Sequence, residues 1–131
     1  MLYLGTTEYG VAEITVGAVE SHKNIQAYHG MVATRTSSLS ASGVKVTCAK
    51  SGTYKISWMA ARNTTSGTSS TRLYISGSAY GTEVTTWTNS YGQSVVLNNV
   101  QLTEGQVVEV YARARSTSYY TLVGNLIIEE I

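Results

Sequence analysis

The chain contains no aspartate, so any carboxylate chemistry falls to its eight glutamates. A Ser-His-Asp triad would need a glutamate in third place, and an EF-hand calcium loop is excluded. Glycoside hydrolysis needs two carboxyl groups facing one another across the scissile bond. Glu83, Glu104 and Glu109 are the candidates in the body of the chain, and their spacing sets no two of them together. Glu104 precedes Gly105 in a turn, where solvation is the simpler role. His22 and His29 are the two histidines, seven residues apart, a spacing that fits no metal motif. Cys48, the single cysteine, continues an inward-facing series and reads as a small buried hydrophobe. No Gly-rich loop follows a strand and opens a helix, so no phosphate cradle is expected. The sequence predicts no catalytic, metal or cofactor site, and the protein is read as a non-enzyme.

Residues suited to recognition are better represented. Tyrosine occurs ten times, phenylalanine not at all, and Ser with Thr makes up roughly a quarter of the chain, above ordinary usage. Tyr, Ser, Thr, Gly and Asn are the palette of adaptable binding surfaces, although Ser and Thr also suit the exposed faces of strands. Trp87, Tyr91, Tyr119 and Tyr120 fall near predicted loops, with Tyr80 at a strand end. Their rings could stack on the apolar face of a sugar while Arg115, Asn63 and Asn89 reach its hydroxyls. The expected receptor or glycan contacts are therefore Trp87, Tyr91, Tyr119, Tyr120 and Arg115. Packing between subunits is the competing role for each ring.

The elements that must carry these residues are strands. Val44, Val46 and Cys48 alternate with Lys45, Thr47 and Ala49, the two-residue period of a half-buried strand. Lys50-Ser51-Gly52 reads as a tight turn. Tyr54, Ile56, Trp58 and Ala60 then share an inward face, and the two runs are expected to form a hairpin. Further strands are predicted over 72–75, 82–88 (with Val84 inward), 94–102 and 106–114 (with Val108, Val110, Ala112 and Ala114 on one face), closing with 122–128. That makes about six or seven strands from Val44 onward, at the spacing of a sandwich. Residues 29–35 form the first strand of the body. Residues 1–26, broken by glycines, are read as an arm or docking segment, and 27–131 as the folded domain; extra edge strands of the same sandwich are the alternative for the arm.

Two of these strands are apolar on both faces. Val107 and Tyr111 lie opposite Val108 and Val110, and Val123 and Ile127 lie opposite Leu126 and Ile128. A sandwich covers one face with its own core, so the other needs a neighbour. Val107, Tyr111, Val123 and Ile127 are accordingly expected at a subunit interface. Charged residues are only 13% of the chain, which points the same way.

The stretch from Val46-Thr47-Cys48 through Ser51-Gly52-Thr53-Tyr54 to Ser57-Trp58 resembles the opening of the C1q/tumour necrosis factor jelly roll. Ser94-Val95-Val96-Leu97 with Leu102-Thr103-Glu104-Gly105-Gln106-Val107-Val108 resembles its paired strands around an acidic-Gly turn, and Leu122-Val123-Gly124-Asn125-Leu126-Ile127-Ile128 its closing strand. The likeness spans 44–128, about two-thirds of the chain. It departs from the pattern in a short link before Val44, in the missing aromatic of the closing strand, and in an arm with no Gly-X-Y period. The resemblance implies an all-β jelly-roll sandwich and a homotrimer. With a short non-collagenous arm it is similar to bacteriophage virion proteins: tail adhesins, head fibres and capsid decoration proteins. A virion surface module docked by its arm to capsid or tail proteins, presenting a surface for a host glycan, is the expectation. A secreted or cell-surface trimeric interaction protein and a carbohydrate-binding accessory domain are the alternatives.

Charge narrows the remaining classes. A net charge of +1 supplies no basic footprint for nucleic acid. No apolar run approaches the ~20 residues that span a bilayer, so no membrane insertion is expected. Residues 1–17 hold no basic start followed by an apolar run, so no export signal is expected.

Overall fold

The computed structural model describes residues 22–63, 69–87 and 93–131. The arm over 1–26 lies outside the described residues up to residue 21, as does Tyr91. The eight strands are β1 (Ile25–Thr34), β2 (Ser40–Thr47), β3 (Gly52–Arg62), β4 (Ser70–Ile75), β5 (Ser78–Thr85), β6 (Gln93–Leu102), β7 (Val107–Arg113) and β8 (Thr121–Glu130). They form two four-stranded sheets in the orders β1-β8-β3-β6 and β2-β7-β4-β5, with every pairing antiparallel. Two sheets of four with the chain crossing repeatedly between them make a jelly roll.

Alternation puts the expected residues inside. Tyr54, Ile56 and Ala60 are fully buried and Trp58 is 1% exposed. Val44, Cys48, Val108, Val110, Ala112 and Ala114 meet them from the other sheet. Val84 packs against this cluster half-buried. The Trp58 indole Nε1 donates 3.0 Å to Thr71 Oγ1, so the largest core side chain has its one polar atom satisfied by the opposite sheet.

The expected hairpin does not form. β2 pairs with β7 and β3 pairs with β6 and β8, so the turn after Cys48 carries the chain from one sheet to the other. A hairpin and an inter-sheet crossing share the same in–out alternation, and only distant partners decide between them. Consecutive strands pair within a sheet at β4–β5, through a turn with Ser76 at φ 48° and Gly77 at φ 83°. Two positive φ values suit the right-handed twist of a two-residue hairpin.

The first strand starts earlier than expected. Ile25 and Gln26, assigned to the arm by sequence, belong to β1 and pair with Glu129 and Ile128 of β8. Asn24 adds a clamp: its carbonyl accepts the Glu130 amide at 2.8 Å, and its Nδ2 donates 2.9 Å to the Tyr54 hydroxyl. That hydroxyl donates to the Lys50 carbonyl at 2.5 Å. Burial pushes the Tyr54 phenol above its ordinary pKa, against the pull of Asn24.

A cluster of bulges interrupts the β1-β8-β3-β6 sheet. Register shifts fall between Tyr28 and Met31 on β1 and between Ser57 and Met59 on β3 against β8. Asn125 sits at φ 50°, a left-handed conformation that Asn tolerates better than most residues. At Gly124 the neighbouring strand closes in, and a Cβ there would lie 2.1 Å from the Gly30 carbonyl oxygen. The extra residue reverses the facing of what precedes it. Val123 is therefore fully buried with Leu126 and Ile128 in this chain's own core and is not on an outer face, contrary to the sequence expectation.

Two predictions follow from this packing. Trp58→Ala is expected to destabilise by about 3–5 kcal/mol, the cost of emptying a large aromatic site; chemical denaturation measures it, and a change under about 0.5 kcal/mol would match a surface site instead. The second concerns Glu130. The Asn24 backbone N–H, 2.9 Å from its Oε1, holds its carboxyl below the usual carboxylate range, with Lys50 at 3.3 Å assisting. A carboxyl with a lowered folded-state pKa stabilises the fold above its unfolded pKa, and that contribution is lost as pH falls through the folded value. Glu130→Gln is expected to flatten the acid limb of the stability–pH curve, and an unaltered limb would show that this pair does not set it.

Candidate functional site

Antiparallel order sorts the loops by parity. Thr34 pairs with Thr121, Ser40 with Ala112, Ala60 with Gln93, and Ser70 with both Thr85 and Arg113. The β1–β2, β3–β4, β5–β6 and β7–β8 loops therefore gather at one pole. This brings Trp87, Tyr119, Tyr120 and Arg115, from two separate loops, to the same end of the domain.

The ground beneath them is polar. Thr34, Ser69, Ser70, Thr71, Thr86, Gln93 and Thr121 are all buried. Buried hydroxyls and amides stay where their hydrogen bonds hold them. Ser69 and Thr121 join hydroxyl to hydroxyl, and Thr121 Oγ1 donates 2.7 Å to the Arg113 carbonyl. Gln93 Nε2 donates 3.0 Å to the Thr85 carbonyl, and its Oε1 accepts the Trp87 amide at 3.1 Å. Thr86 N–H donates 2.7 Å to the Ser69 carbonyl. Short Ser and Thr side chains thus tie loop backbone to loop backbone, and Gln93 fixes the base from which Trp87 projects.

The β7–β8 loop is fastened to two neighbours. Ala114 N–H donates 2.7 Å to the Thr36 carbonyl of the β1–β2 loop. Tyr120 N–H donates 2.7 Å to Asn63 Oδ1 at the start of the β3–β4 loop. Within the loop, Tyr119 N–H donates 3.1 Å to the Ser116 carbonyl.

On this base the side chains differ in availability. Trp87 is 66% exposed. Tyr119 and Tyr120 are half-buried, each with a guanidinium over its ring: Arg115 at 5.5 Å from the Tyr119 centroid and Arg35 at 5.0 Å from that of Tyr120. Such cation–π contacts hold a ring in one orientation and keep a cation beside it. Arg35 was not among the residues expected from sequence. Its position just past β1, in a loop whose neighbours only the topology reveals, gave no local signal.

The expected interface residues do not share one surface. Val107 and Tyr111 are half-buried on the outer face of the β2-β7-β4-β5 sheet, Ile127 is on the outer face of the other sheet, and Val123 is in the core. Ile127 instead lines a cleft of about 310 Å³ with His29, Ser57, Trp58, Met59, Ser94 and Asn125, next to the register shifts of β1 and β3 against β8.

The carboxylates considered for chemistry are not brought together. Glu83 accepts from Arg113 at 2.8 Å and from Ser70. Glu109 accepts the Gly43 amide at 2.9 Å. Glu104 lies in the β6–β7 turn at the opposite pole, its amide donating 2.8 Å to Ser51. Among the described residues, no three His, Cys, Asp or Glu side chains are grouped to hold a metal ion.

No protein-family model and no curated protein sequence matches the chain. Similarity lies with solved structures. The CBM36-1 domain of a multidomain xylanase from the hindgut metagenome of Trinervitermes trinervoides aligns with a TM-score of 0.56 at 17% identity, covering 80% of this chain and 96% of that one. A Podospora anserina GH26-CBM35 beta-(1,4)-mannanase aligns with a TM-score of 0.47 at 13% identity, over 81% of this chain and 27% of its own. A Paenibacillus sp. cycloisomaltooligosaccharide glucanotransferase complexed with cycloisomaltoheptaose aligns with a TM-score of 0.45 at 15% identity, over 82% and 18%. At such identity the likeness to the CBM36-1 domain is one of fold, and the fold shared over nearly all of that domain is the jelly-roll sandwich.

Proposed function

We propose that this domain binds carbohydrate without acting on it, through the loop pole. The carrying observation is Trp87, a large ring two-thirds exposed on a base held by the buried Gln93. A rigid aromatic gives contact area at low entropic cost, and an indole face complements the C–H face of a pyranose. Tyr119 and Tyr120 with Arg115 and Arg35 at the same pole add hydroxyls and guanidinium donors for a sugar's polar edge. The fold shared with the CBM36-1 domain of a xylanase, a carbohydrate-binding module, supports the same reading. So do the candidate glutamates: Glu83 and Glu109 are each held by a partner of their own, and Glu104 lies at the opposite pole.

Depletion assays with insoluble polysaccharides and titration with soluble oligosaccharides test it. Trp87→Ala is expected to weaken binding about tenfold or more, equivalent to about 1.4 kcal/mol, while the melting temperature stays constant. Tyr120→Ala is expected to weaken it less, since that ring is half-buried with the Arg35 guanidinium over it. A wild-type domain that binds nothing across plant, fungal and bacterial glycans, or a Trp87→Ala variant that binds unchanged, would refute the proposal.

A further inference from the structure

Away from the loop pole, the outer face of the β2-β7-β4-β5 sheet holds a charge without a counterpart. Thr71 and Leu73 are fully buried, so Arg72 between them points outward, half-buried. Tyr111 of β7 lies directly across from it. Tyr74, two residues along on the same face, stacks on Tyr111 with centroids 3.6 Å apart and planes 9° from parallel. The two rings stand as one block beside the arginine.

The other acids of this face are engaged. Glu83 is held by Arg113 and Ser70, and Glu109 by the Gly43 amide. Arg72 makes no hydrogen bond, ion pair or ring contact among the described residues. Its Nε is buried without a partner, while its terminal nitrogens are not among the buried unpartnered atoms and so face solvent. Burying part of a guanidinium with no acceptor is unfavourable, and an arriving anion would offset that cost. A guanidinium whose stem is fixed by packing presents a planar fork matched to an oxyanion.

We infer that Arg72, flanked by the Tyr74–Tyr111 block, forms a second binding site, for an anionic substituent of a polysaccharide. The shared chemistry is a resonance-stabilised oxyanion on a sugar ring, a uronic-acid carboxylate or a sulfate ester. The fork pairs with its oxygens and the ring lies against the tyrosine block. The choice of a sugar as the carrier rests on the carbohydrate reading above; the site itself does not use the loop pole.

The test is calorimetric titration with three hexasaccharides: an oligogalacturonate, its full methyl ester, and a sulfated galactan. Either acid form is expected to bind at least tenfold tighter than the neutral ester, and the preference is expected to shrink as salt rises. Which acid binds tighter separates carboxylate from sulfate. Arg72→Gln should erase the preference with no loss of melting temperature. Arg72→Lys, a point charge without the fork, should keep part of it. Trp87→Ala should lower affinity for neutral sugars but leave the acid preference intact. Equal binding of acid and ester by the wild type, or a preference that survives Arg72→Gln, would overturn the inference while leaving the loop-pole reading standing. An acid preference that persists when neutral glycans fail to bind would support Arg72 and count against the loop pole alone.

Discussion

The hydrogen bond from the Trp58 indole to Thr71 joins the two halves of this domain in more than one sense. It spans the sheets, and it marks where the core changes character. On one side lie Ile56, Leu126, Ile128 and Val44, apolar and fully buried; on the other lies the layer of Ser, Thr and Gln under the loops. A purely apolar core would have no way to orient four loops. A purely polar one would bury too little apolar surface to offset the entropy of ordering the chain. The indole serves both, with its rings in the apolar region and its N–H in the polar layer.

Strand alternation was readable residue by residue, because the period of two depends only on the local chain. The inward faces of β2, β3 and β7 follow from Val44, Trp58 and Val110 alone. Partner choice was not readable, and the crossing after Cys48 is the example: nothing local distinguishes it from a hairpin. The facing of Val123 was lost for a related reason. A bulge inserts one residue and reverses everything on one side of it, and the signal, Gly124-Asn125, is short enough to pass for part of a regular strand.

The candidate site shows the same division. Trp87, Tyr119, Tyr120 and Arg115 were legible because aromatics among Ser, Thr and Asn stand out in loops. That they lie at one pole follows from strand parity, which needs the topology. Arg35 and Arg72 carry no local signal in the sequence because their meaning is relational. One lies over a tyrosine 85 residues further along the chain, by the numbering of Arg35 and Tyr120, and the other matters for the partner it lacks.

The pairing of β1 with β8 has a consequence for how the domain can be joined to anything else. Asn24 and Glu130 are hydrogen-bonded neighbours at the pole opposite the loops, on adjacent strands whose spacing is about 4.8 Å. The backbone thus enters β1 and leaves β8 side by side. A host polypeptide could accept the domain in a surface turn, with both connections made through one narrow stem and little strain on either side. Held by a short stem at that end, the domain would turn its Trp87 pole away from the attachment.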